Sequence, residues 1–123
     1  MSRVATAARI LMGAAFVVFG LNGFLHFLPD GELPPRARGF VTALAETGYL
    51  MEVVKGTEVV AGALLLTGVA VPLALVLLAP LLVNIFLFHL VLAPAGLAPA
   101  VVLGACELVL ARAYRHLFRG LFG

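Results

Sequence analysis

Four apolar runs, roughly residues 7–28, 49–68, 72–93 and 98–116, constrain this chain more than any motif in it. Each is close to the ~20 residues that cross ~30 Å of hydrocarbon at 1.5 Å per residue. Lipid leaves no water to satisfy backbone polar groups, so only helices or closed barrels span it. These runs are too long and too continuous for barrel strands. A soluble domain carries about 25% charged residues; here the figure is 11%, with 63% hydrophobic residues and a mean hydropathy of +1.17. The expected fold is all-α: a four-helix transmembrane bundle forming one integral membrane domain over residues 1–123.

Breaks between the runs agree with that expectation. Pro29-Asp30-Gly31 with Pro34-Pro35, Thr67-Gly68 to Pro72, and Pro94 to Pro99 all punctuate helices. The last two loops are short, which makes their helices antiparallel neighbours. Pro80, inside the third run, leaves the Val76 carbonyl without its helical donor and predicts a kink. Segment 34–48 differs from the spans. Phe40, Val41 and Leu44 share one side of a helical projection, and Arg36, Arg38, Thr42 and Glu46 populate the others. It is expected to be a short interfacial helix, or a loop folded over the mouth of the bundle.

Arginines set the orientation. Arg3, Arg9, Arg112, Arg115 and Arg119 lie toward the two ends of the chain, and Arg36 and Arg38 in the first loop. Four spans and this bias place both termini in the cytoplasm. Arg3 and Arg9 before an apolar run imitate a signal peptide, but the run is long for one and is read as a retained span. A net charge of +2 and a pI near 9.2 do not indicate nucleic acid, because no long basic run exists. A lone cysteine, Cys106, rules out an internal disulfide and a CxxC redox pair.

The expected site comes from polar residues inside the apolar runs: Asn22, His26, Lys55, Glu58, Asn84, His89 and Glu107. A charge at mid-bilayer costs about 2.5–3.5 kcal/mol even on the lower scales, so such residues face a bundle interior and often mark a site. Helical rise puts Glu58, Glu107 and Asn84 about 13–14 Å deep, Lys55 and Asn22 at roughly 9 Å, and both histidines shallower. That layering describes a polar funnel open to the outer face and floored by two carboxylates. Asn22 and His26 share a helix face, and Lys55 can pair with Glu58 or Glu52. Asn84 and His89 stand five apart and share a face only where the helix is kinked or unwound. Gly20, Gly23, Gly56 and Gly62 would permit close helix approach.

Each residue also has a structural explanation. Lys55 and Glu58 can fix helix register as a buried pair. The asparagines can bond between helices, and the histidines near headgroups. Glu107 has no charged neighbour at i±3 or i±4 and so invites a functional role most strongly. Metal and haem are not expected. The Glu-x-x-His pattern of di-iron bundles is absent, and only His26 and His89 suggest haem ligation. No phosphate-binding glycine loop, HExxH or nucleophile elbow is present.

The sequence has internal similarity. Asn22 and His26 end the first run, Asn84 and His89 the third; Glu58 lies in the second and Glu107 in the fourth. Two helical hairpins would then be parallel repeats.

Arg9 opening an apolar helix, the run Phe19-Gly20-Leu21-Asn22-Gly23-Phe24-Leu25-His26, and Lys55-x-x-Glu58 followed by Gly62 and Gly68 together resemble the DoxX-like family of small membrane proteins. Pro72 to Pro80 and then Asn84 and His89 extend the match, which runs over essentially the whole chain. The resemblance implies a bacterial inner-membrane four-helix protein. It further implies association with quinone-linked redox systems, as an accessory or non-catalytic subunit with redox-protein partners. The expected function is thus a membrane subunit binding a quinone or similar lipid-soluble molecule, with Glu58 and Glu107 handling protons. Two alternatives belong to other classes: a structural or partner-binding subunit without a substrate, and a small-molecule or lipid transporter. So small a bundle has much lipid-facing surface, which favours a homo-oligomer.

Overall fold

The computed structural model describes residues 2–29 and 31–121, and every regular element among them is helical. Asp30, part of the first expected break, lies outside the described residues. Helix α1 (Arg3–Leu25) is followed by α2 (Pro35–Glu46), α3 (Leu50–Thr67) and α4 (Val71–Leu87). A π-helical turn, Phe88–Leu92, extends α4. The 3-10 turn Pro94–Gly96 leads into α5 (Leu97–Ala113), and a second 3-10 segment covers Arg115–Leu121. Three of these are long and apolar enough to cross a membrane: Arg3–Leu25, Val71–Leu92 and Pro94–Ala113. That is the pattern of a multi-pass membrane protein. Helix α3 is shorter and carries Glu52, Lys55 and Glu58.

Local chemistry explains where the helices stop. Ser2 caps α1 by accepting a hydrogen bond from the Ala5 amide at 3.1 Å. At the other end His26 turns left-handed (φ 51°) and donates its amide to the Asn22 carbonyl. Gly68 (φ 76°) ends α3 in the same conformation, which glycine adopts without a Cβ penalty. Pro35 opens α2, where its missing N–H would be unpaired in any case. The 34–48 segment is therefore a helix rather than a loop. Phe40 of α2 packs on Phe88 with ring centroids 5.6 Å apart, holding α2 across the end of α3 and the π turn.

Helices α1 and α3 form the tightest contact, and glycines explain it. A Cβ on Gly13 would stand 3.0 Å from the Gly62 carbonyl, and one on Gly62 would stand 2.8 Å from the Val17 amide nitrogen. A Cβ on Gly20 would meet Val59, and one on Gly23 the Lys55 stem. The pairs 13–62, 20–59 and 23–55 run antiparallel. Gly56 differs from the expectation: nothing lies within 4 Å of a Cβ there, so it plays no part in helix approach. Helix α4 packs on α3 and α5, and α5 packs back on α1, so the four long helices close a ring. Met12, Phe16, Leu65, Leu75, Leu78, Leu82 and Leu110 fill its centre. Much of the outer surface is apolar, with Leu73, Val83, Val101 and Leu108 among the large exposed side chains. In water such a surface would aggregate; against lipid it is the solvated face.

One arginine joins this packing. The Arg9 guanidinium donates to the carbonyls of Leu65 and Leu66, at 2.5 and 3.1 Å. These carbonyls belong to the last turn of α3, where no helical donor follows. Arg9 therefore caps a neighbouring helix in addition to contributing positive charge at this end of the chain.

Candidate functional site

The seven expected residues occupy distinct surroundings. Asn22 serves its own helix end: its Oδ1 accepts the Leu28 amide at 2.7 Å, and its carbonyl accepts the His26 amide. His26 is exposed beyond that cap. Lys55 and Glu58 are brought together, with Nζ 3.1 Å from Oε1. Glu58 is only 4% exposed, the one buried charged residue in the described core. Its lysine partner is 26% exposed along the side chain, so the pair sits at the edge of the α1–α3 contact rather than sealed within it.

His89 lies within the π turn. Its Nδ1 stands 3.2 Å from the Ala93 carbonyl, and it donates there when that nitrogen carries the proton. The ring meets Phe88 edge-on at 5.1 Å and covers Gly96, where a Cβ would overlap it. The unwinding contemplated for this stretch thus occurs, but it turns His89 toward the Pro94–Gly96 turn. Asn84 is exposed and borders a different cleft of about 190 Å³, lined by Phe40, Leu87, Phe88, Val91 and Leu92.

Glu107 has a cavity of its own. Its volume is about 600 Å³, and Leu75, Val76 and Ala79 of α4 form one wall. Glu107 and Ala111 of α5 form another, completed by Arg115, Phe118, Arg119 and Leu121 of the last 3-10 segment. Oε1 of Glu107 is buried with no hydrogen-bond partner among the described residues. The rim therefore extends from Glu107 toward the arginine-bearing end of α5. The funnel expected from the sequence opens the other way, toward the end that holds His26 and His89. Glu107 and Asn84 line separate cavities, and Glu58 lines neither.

Sequence reasoning missed Arg115, Phe118 and Arg119 as lining residues, reading the arginines only as orientation signals. A signal existed in part: Glu107 and Ala111 stand at i and i+4 on one face of α5, and Arg115 continues the same spacing in the sequence, although α5 ends before it. Pro80 contributes too. It has no N–H to offer the Val76 carbonyl, so a backbone acceptor is freed in the turn that walls the cavity. The site thus combines one carboxyl-bearing and two guanidinium-bearing residues around an otherwise apolar space. Its size falls in the range of small-molecule sites, roughly 300–1,000 Å³.

Among the described residues no three His, Cys, Asp or Glu side chains gather as metal ligands do. Cys106 is a free, buried thiol packed in the core cluster. Comparison with family models, with curated proteins and with solved structures gives no match.

Proposed function

We propose that this chain is a four-helix membrane protein that binds a quinone or similar lipid-soluble molecule in the Glu107 cavity. In this proposal α3 is the fourth span, its charges accommodated by pairing with one another and by α1. The termini lie on the cytoplasmic side, where the arginines at both chain ends favour them. The observation carrying the proposal is the cavity itself: a mostly apolar space with an unpartnered buried carboxyl oxygen at one end and Arg115 and Arg119 at the other. Glu107 lies in the last turns of α5, and Arg115 opens the 3-10 segment that follows it; both line the cavity. Two long side chains reaching inward can bracket a ring that bears polar oxygens on opposite edges, with Phe118 against its face. The carboxyl group and the guanidinium groups supply donors to such oxygens, and Leu75, Val76 and Ala79 take the apolar remainder. The DoxX-like resemblance supports an accessory role beside a redox partner.

Native mass spectrometry of the protein released from detergent tests this directly. A retained lipid-soluble adduct is expected, lost in Ala111→Phe, which fills the cavity, and weakened in Glu107→Gln. A bare chain, or an adduct indifferent to Ala111→Phe, would overturn it.

A structural role is favoured for the remaining polar residues by a specific observation: Asn22, Lys55, Glu58 and His89 all find partners within the chain. Their substitution should lower the melting temperature without changing any bound adduct.

A further inference from the structure

Asn84 is an exposed amide on an otherwise apolar face of α4, at the edge of the cleft it shares with Phe40, Leu87 and Val91. It lies thirteen residues after Val71 and eight before Leu92 in a membrane-length helix, hence about 12–20 Å from either end. Its neighbours on that face are Leu73, Val76, Pro80, Leu87 and Val91, all exposed and spaced 3, 4, 4, 3 and 4 residues apart with Asn84 among them. Such spacing is a straight stripe along one side of a helix. The described side-chain hydrogen bonds include none to Asn84. A carboxamide has two N–H donors and a carbonyl acceptor, and hydrocarbon offers partners for neither.

We propose that the α4 stripe is a self-association surface, with Asn84 of one copy hydrogen-bonded to Asn84 of a second copy of this chain. Symmetry singles out that occupant. Copies inserted in the same sense are related by a two-fold axis along the membrane normal, and a residue near that axis meets its own counterpart at the same depth. Only a self-complementary group suits that position. A carboxamide qualifies, because the Nδ2 of each copy donates to the Oδ1 of the other. A lysine or an ionised glutamate would meet its own charge. Pro80 places a compact ring one turn from Asn84, and the apolar residues above and below close the contact by packing, the usual basis of helix association in lipid. Val76 also walls the Glu107 cavity, so the contact adjoins that site, but the dimer itself requires no ligand there.

The test uses the full chain in phosphatidylcholine liposomes, with self-association followed by energy transfer between labelled copies over a dilution series in lipid. A concentration-dependent dimer is expected, weakened about 3- to 30-fold by Asn84→Leu, the range for one polar contact between membrane helices, and largely retained by Asn84→Gln. Asn84→Leu replaces a lipid-exposed polar group and should leave helix content and melting temperature intact, so a lost dimer is not lost folding. In a Cys106→Ala background, single cysteines at Leu87 or Val91 should cross-link on oxidation, and one at Leu108 of α5 should not. A monomer at every dilution, an Asn84→Leu dimer as strong as the parent, or cross-linking equally efficient at Leu108 would each overturn the proposal. If the amide instead faces a lipid or a different protein, the purified chain stays monomeric.

Discussion

The ammonium of Lys55 stands 3.1 Å from a carboxylate oxygen of Glu58, and the lysine's aliphatic stem lies over the bare backbone of Gly23. Pairing and close helix approach are thus one device. Removing a single partner leaves a buried charge uncompensated, whereas replacing both with apolar groups is often neutral. Lys55→Met should destabilise the fold, by less than the ~3–5 kcal/mol of a fully buried pair because Lys55 is partly exposed, read as a fall in melting temperature in detergent. The double variant Lys55→Met, Glu58→Leu should recover most of that loss. A double variant no more stable than the single one would show that the pair does more than compensate itself.

Two glycines of α3 should respond in opposite directions. Gly62→Ala drives a methyl group into the α1 backbone at Val17 and should destabilise by about 1–3 kcal/mol, the usual cost of overpacking. Gly56→Ala meets open space and should stabilise by roughly 0.5–1 kcal/mol through helix propensity alone. Thermal unfolding of the two variants side by side checks the assignment of the α1–α3 contact.

Arg9 should behave as a cap for α3. Arg9→Met removes two charge-assisted hydrogen bonds from the Leu65 and Leu66 carbonyls, each worth about 1.5–3 kcal/mol. Hydrogen exchange is the sharper readout: amides in the last turns of α3 should lose protection before those of α4 do. Uniform loss along the chain would argue against a local cap.

Gly96→Ala should unseat His89, whose ring covers that backbone. The expected outcome is a change in His89 ring resonances and a loosened Phe88–Leu92 turn, with the rest of α4 undisturbed. An unchanged histidine environment would mean the ring is not held there.

Legibility in the sequence followed the physics that acts over short distances. Apolar length marked α4 and α5 because hydrocarbon thickness sets a simple minimum. Residues 72–93 and 98–116 shifted by only a few positions, to Val71–Leu92 and Pro94–Ala113. The first span starts earlier than expected because Ser2 caps it and Arg3 is already helical. The Lys55–Glu58 pair was visible as an i, i+3 spacing, and the isolation of Glu107 as the absence of neighbours at helical spacing. What surrounds Glu107 was not visible. It depends on the chain after Tyr114 tightening into a 3-10 segment and returning Phe118 and Leu121 toward α4, a tertiary event with no local periodicity. The two asparagines show the limit most clearly. Asn22 and Asn84 look equivalent in the sequence repeat, yet the left-handed turn at His26 lets one fold back on its own helix end, while the other remains in the middle of a continuing helix.

With α3 as the proposed fourth span, Arg9 also bears on the order in which the chain would enter the bilayer. Helix α3 is short, carries three charged residues and ends in carbonyls that α1 satisfies. Emerging alone, it would meet lipid with those groups bare. With α1 already in place, its glycine face and guanidinium receive α3 as it arrives. In the proposed four-span arrangement α1 thus acts as an internal chaperone for the least apolar of the long helices, and a chain deprived of α1 is expected to leave α3 outside the bilayer.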